Sequence, residues 1–208
     1  IMGLFFIAII VFGTQGEEVF FQEMNLMVSS LCFLVLVFAN GLVSTTSASI
    51  SLEGKSFWLL KSLPIEEKNI FKAKVMVNLL ISFPFTVISC VLMGIFLHIN
   101  ILILFLILIL VSLVNLVMGN VGLIFNITFP KLDWTNPVKV VKQSLSTFLT
   151  MLFGFFAILG PLIALENIFI DNIYLLLFTS GIFILLLFLL SNYLLNRYFI
   201  SKFRALNN

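Results

Sequence analysis

Five apolar runs, each long enough to cross a bilayer, leave this chain few choices of fold: Leu26–Val43, Val75–Leu97, Ile101–Phe125, Leu145–Leu165 and Ile173–Leu195. A hydrocarbon core about 30 Å thick takes roughly 20 residues of helix. A sixth run, Ile1–Phe12, would rise only about 18 Å as a helix. With no basic segment before it and no small-residue cleavage site after it, it is read as the tail of a span that begins elsewhere, not as a signal peptide. Residues of the AVILMFWYC set make up 62% of the chain and charged residues 10%, against about 45–50% and ~25% in a soluble domain. So few charges cannot cover a water-facing surface, which excludes a soluble enzyme, a nucleic-acid binder and a disordered chain. The expected fold is an all-α polytopic membrane protein. It forms one domain over residues 1–208, with about six transmembrane helices, the first truncated.

The placement of charge orients the spans. Lys55, Lys61, Lys68, Lys72 and Lys74 fall in segment 44–74; Lys131, Lys139 and Lys142 in 126–144; Arg197, Lys202 and Arg204 in 196–208. Those are all 11 basic residues, and short cytoplasmic loops hold such residues in excess. The alternating loops carry Glu17, Glu18 and Glu23, then His98 and Asn100, then Glu166 and Asp171. The three basic segments are therefore expected in the cytoplasm, the C-terminus included. The abundance of Phe, Ile, Asn and Lys with few Ala suits an AT-rich bacterial genome, so the expected location is a bacterial cytoplasmic membrane. The turn His98-Ile99-Asn100 is short enough to force a tight helical hairpin.

The spans are poor in chemistry. None of the five holds Asp, Glu, Lys or Arg, and Glu166 sits at a span end. Ionisable groups at membrane depth mark ion-coupled carriers, so a self-contained carrier is not expected. Asn40, Asn78, Ser82, Ser112, Asn115 and Asn120 read first as hydrogen-bonding glue between helices and second as a substrate path. Pro84 and Gly160-Pro161 are expected to bend their spans. Cys32 and Cys90 lie in apolar runs and act there as small hydrophobes. One histidine supports neither a metal cluster nor a histidine-pair protease,. No catalytic, cofactor-binding or metal-binding residues are expected.

Segment 48–74 is the most informative stretch. On a continuous helix, Leu52, Ser56, Leu59, Leu60 and Leu63 share one face suited to the membrane or the spans. The opposite face would present Gly54, Phe57, Trp58 and Lys61, beside Lys55. Exposed aromatics among basic residues suit a contact anchor; a lipid-surface helix with Trp58 at headgroup level is the competing account. Pro64 suits the first position of a second helix, with Glu66 and Glu67 in its first turn. Further on, Asn136 before Pro137 is a good cap for a short helix carrying Lys139 and Lys142.

Two loops carry a family resemblance. SLEGKSFWLLKSLPIEEKNIFKAK resembles the cytoplasmic loop of bacterial ATP-binding-cassette exporter permeases of the type-two class. There a Glu-Gly-Lys, an aromatic pair, a Leu-Lys-Ser-Leu-Pro-Ile and a later lysine recur in that order. FPKLDWTNPVKVVKQSLS resembles the second loop of that group, in its Phe-Pro, Asp-Trp and Lys-Gln-Ser. The likeness covers roughly Ser44 to the C-terminus, the C-terminal portion of a longer permease. It implies a translocation subunit that docks a cytoplasmic ATPase through short coupling helices. Glu53, Gly54, Lys55, Phe57, Trp58, Lys61 and Pro64 would form or brace the main docking surface. Phe129, Pro130, Lys131, Asp133, Trp134, Lys142 and Gln143 would form a second cytoplasmic contact.

The implied partners are that ATPase, a second permease half or second copy, and the lipid bilayer, with no nucleic acid. ATP would be bound by the partner, because the chain has no phosphate-binding Gly-rich loop ending in Lys-Ser/Thr. Two other readings stay open. One is a six-span substrate-binding subunit of a vitamin uptake system, for which seven alanines provide few small-residue packing faces. The other is a membrane immunity or sensor protein. The composition assigns no substrate.

Overall fold

The computed structural model describes residues 18–42, 44–62, 64–97, 99–168 and 172–206, with the side chains of 18–27, 139, 142 and 143 outside that description. The predicted partial span over 1–12 lies outside the described residues. In chain order the elements are α1 (Glu18–Leu42), α2 (Thr46–Ser49), a 3₁₀ turn (Ser51–Ser56), α3 (Phe57–Ser62), α4 (Glu67–Leu97) and α5 (Ile101–Thr128). Then come α6 (Pro137–Gln143), α7 (Leu145–Phe153), a π-helical segment (Gly154–Leu159), α8 (Gly160–Ile168), α9 (Ile173–Arg197) and α10 (Phe199–Ala205). The described residues form no strand, and five helical stretches are long and apolar enough to cross a membrane.

Helix α5 is the axis of the bundle, packing against α1, α2, α4, α7 and α9. Ile107, Val111, Val114, Val117 and Met118 are among its fully buried residues. Asn100 starts it: its side-chain oxygen accepts the Leu102 N–H at 2.9 Å, satisfying one of the donors every helix start leaves open. The hairpin expected from the short turn is therefore present as α4 and α5.

The uncharged polar residues bind the helices together. Asn115 donates to the Asn40 side-chain oxygen Oδ1 at 2.6 Å and accepts from Asn78 at 3.1 Å, while Asn78 accepts from the Thr45 N–H at 2.8 Å. Asn120 donates to the Ser191 hydroxyl at 3.2 Å. Ser82 and Ser112 instead donate to carbonyls of their own helices. Among the described residues no buried side-chain N or O lacks a partner, as a water-free interior demands.

The Leu145–Leu165 run is one continuous column with a π segment inside it. The Gly160 N–H reaches back to the Phe155 carbonyl. The widened turn ends just before Pro161, whose ring would press on the carbonyl one α-turn earlier. The expected irregularity at Gly160-Pro161 is thus a π turn placed ahead of the proline. Pro84, by contrast, sits within the unbroken helix α4. At Gly154, where the π segment begins, a Cβ would lie 2.4 Å from the Gly41 carbonyl oxygen. There α1 and this column touch backbone to backbone.

Candidate functional site

At the end of the bundle that carries the basic residues, segments 44–66 and 129–144 and helix α10 combine into one platform. Its keystone is Asn126, fully buried on α5. The Asn126 side-chain oxygen Oδ1 accepts the N–H groups of Ile50 (2.7 Å) and Ser51 (3.1 Å). Its amide donates to the hydroxyls of Ser51 (2.8 Å) and Ser146 (3.2 Å). Ser51 then joins the two loops, its hydroxyl accepting the Lys131 N–H at 3.0 Å and its carbonyl accepting the Trp134 indole N–H at 2.8 Å.

Gly54 shapes the first loop. It has φ +51° and ψ −128°, a conformation that only glycine adopts without strain,. A Cβ there would lie 2.9 Å from the Trp134 indole nitrogen. The glycine therefore serves both a chain reversal and a close approach to the second loop. It also ends any continuous helix over 52–63, which corrects the expected faces. Phe57 does not point outward; it is fully buried. Its ring meets Phe203 edge-on at 5.3 Å between centroids, and Phe203 meets Phe71 at 5.2 Å, a geometry aromatic pairs favour. Leu59, expected inward, is 54% exposed. Trp58 is exposed as expected, at 64%.

The remaining first-loop residues divide between bracing and display. Glu53 pairs with Lys74 on α4 at 2.9 Å, and that ammonium also donates to the Ser49 carbonyl at 3.1 Å. Lys61 donates to the Arg204 carbonyl at 2.8 Å and to the Leu206 carbonyl, and lies over the Phe57 ring at 5.5 Å. It is therefore a clasp on the C-terminal helix instead of a free surface charge. Lys55 is exposed and pairs with no other described residue. Pro64 is exposed in a bend, and α4 starts at Glu67, three residues later than expected. Its carbonyl-accepting first turn runs from Glu66, whose C=O takes the Asn69 and Ile70 N–H groups.

On the second loop Phe129 (41% exposed), Lys131 and Asp133 face outward, while Pro130 and Trp134 are half-buried. Lys142 and Gln143 lie on α6, with side chains outside the described residues. The predicted cap holds: Asn136 accepts the Val138 N–H at 2.9 Å, with Pro137 at the first position. The structure thus brings Gly54 against Trp134 and leaves Lys55 and Trp58 displayed beside that junction.

Three contributors escaped the sequence reading. Ser51 and Asn126 carry no signal beyond a polar residue near each end of an apolar run. Helix α10 had one: Phe199, Ile200, Phe203 and Leu206 repeat at helical spacing, and all four join the core beside Phe57 and Phe71. Its Arg204 makes a two-point pair with Glu67 at 2.6 and 3.0 Å, and that carboxylate pushes the guanidinium pKa up. Among the described residues no group of three His, Cys, Asp or Glu side chains gathers to hold a metal. No family model, no curated protein and no solved structure matches this chain.

Proposed function

We propose that this chain is the membrane-spanning permease subunit of an ATP-binding-cassette exporter, with the platform as the docking surface for a cytoplasmic ATPase. The observation that carries this reading is the coupling of a displayed tryptophan to braced neighbours. Trp58 is 64% exposed on a two-turn helix, while the residues around it are tied to the long helices. Phe57 packs on Phe71 of α4 through Phe203, Glu53 is paired to Lys74 of α4, and Ser51 is bound to Asn126 of α5. A push on Trp58 therefore moves the ends of α4 and α5 and is not absorbed in a loose loop. Large aromatics and basic residues are the usual anchors of protein contacts.

In this mechanism the chain hydrolyses nothing. ATP is held and cleaved by the partner, whose closure presses the platform and rocks the spans between two access states. A second permease half or a second copy of the chain completes the pathway. The chain sits in a bacterial cytoplasmic membrane with the platform and C-terminus in the cytoplasm, as the segregation of lysine and arginine supports. The resemblance supplies the direction of export.

The test is a detergent pull-down of the full-length protein, wild type against Trp58→Ala combined with Lys55→Glu. Lys55 is preferred to Lys61 because Lys61 holds the C-terminal helix. Recovery of an ATP-binding-cassette ATPase with wild type, and at least tenfold less with the variant at equal membrane level, is expected. No ATPase even after cross-linking would sink the reading, and specific vitamin binding by the purified chain would favour an uptake subunit instead.

A further inference from the structure

A second site lies on the lipid-facing side of the same end of the bundle. An open basin of about 740 Å³ is lined by Lys68 near the start of α4, by Leu189, Asn192, Tyr193 and Arg197 along α9, and by Tyr198 just beyond it. No carboxylate lines it. Lys68 and Arg197 are exposed, and neither is ion-paired with another described residue. The nearest acidic neighbour in sequence, Glu67, is already engaged by Arg204. Tyr193 and Tyr198 stand edge-on at 6.3 Å between centroids, and the Asn192 oxygen is occupied by the Asn196 amide at 2.8 Å. Asn196 lines the basin as well; the donors the basin offers a ligand are an ammonium, a guanidinium, two amides and two phenols, a set that matches phosphate oxygens.

We propose that this basin binds a phosphate group, and that an anionic phospholipid headgroup supplies it. A free phosphate shares that chemistry, but the wall above the basin favours a lipid. Leu186, Leu189, Leu190 and Tyr193 form one stripe on α9 at helical spacing, with exposures of 61%, 54%, 55% and 54%. It begins at the basin and runs up a helix apolar enough to cross a membrane. A lipid whose phosphate rests between Lys68 and Arg197 can lay an acyl chain along that stripe. Tyrosines fit here too, since their amphipathic rings concentrate where headgroups meet hydrocarbon. The inference does not depend on the exporter reading; it needs only the helices to lie in lipid.

The full chain, purified in detergent, would be titrated with dilauroyl phosphatidylglycerol or dilauroyl phosphatidylcholine, and retained lipid counted by native mass spectrometry. Wild type should retain phosphatidylglycerol over phosphatidylcholine. Each neutralised cation should weaken phosphatidylglycerol about fivefold, from about 1 kcal/mol per basic residue at an anionic surface, so Lys68→Gln with Arg197→Gln should lose roughly 25-fold. Lys68→Arg with Arg197→Lys keeps both charges and should restore most of the binding, which separates a binding defect from a folding one. Lys72→Gln, an exposed charge on the same helix outside the basin, should change binding less than twofold. An equal loss with Lys72→Gln would overturn the site in favour of diffuse attraction. Displacement of the lipid by millimolar inorganic phosphate or glycerol phosphate alone would overturn the lipid assignment.

Discussion

The two ends of the bundle are built on opposite principles. At one end α4 and α5 are joined by a minimal turn, finished by a single cap from Asn100. At the other, four short helices and a 3₁₀ turn form a platform whose loops are tied through Asn126, Ser51 and Trp134. Connecting two helices requires only the first arrangement. The second holds far more buried hydrogen bonding and aromatic packing than topology needs, and it leaves Trp58 and Lys55 uncovered at its surface. Structure in excess of what connection demands is the physical reason to place function at the basic end.

The contrast can be broken most severely at Asn126. Asn126→Ala removes the acceptor of two buried N–H groups and the donor to two hydroxyls, each costly to leave unmade. It should lower unfolding stability by about 4 kcal/mol, measured by denaturant titration in mixed micelles. A loss under about 1 kcal/mol would mean that the two loops stand without their keystone.

A matched pair of glycine substitutions sharpens the comparison. Gly54→Ala meets both a positive φ and the Trp134 ring, so it should cost about 2–3 kcal/mol. In a Trp58→Phe background it should also red-shift Trp134 emission as the indole loses its seat. Gly94→Ala, at the plain end, meets only the tip of the Leu104 side chain at 2.8 Å. That tip can rotate away, and alanine is the better helix former, so a change under about 1 kcal/mol is expected. Equal costs at the two positions would erase the distinction between the ends.

Asn100→Ala should have the smallest effect. Loss of the cap is worth about 1 kcal/mol and should leave Trp134 emission untouched. A red shift there would show that the ends are mechanically linked.

The five apolar helices were legible because each needs only length and hydrophobicity, and the gathering of the basic segments at one end of the bundle was legible because every basic residue lies in three segments. The cap at Asn136, the hairpin and the asparagine ties followed from side-chain chemistry in the same way. The inward turn of Phe57 did not, because helical periodicity assumes an unbroken backbone and Gly54 breaks it. The positive φ of Gly54 and its close approach to Trp134, 80 residues away in sequence, belong to the folded chain and leave no periodic trace in the sequence. The partners of Lys61 were hidden for a related reason: a lysine looks like a surface charge until the carbonyls it caps, at Arg204 and Leu206, are brought alongside.

The contact of Gly41 with Gly154 has a geometrical consequence for the whole molecule. With no side chain between the two backbones, α1 and the Leu145–Ile168 column meet here in direct backbone contact. It sits one residue from the end of α1, next to the turn that leads into the platform. The arm of α1 on the far side, back to Glu18, is roughly 35 Å long at the α-helical rise. Pivoting at the glycines gives unequal arms. Were the helices to pivot there, a small tilt beside the platform would become a much larger sweep at the far end of α1, as in scissors gripped close to the rivet.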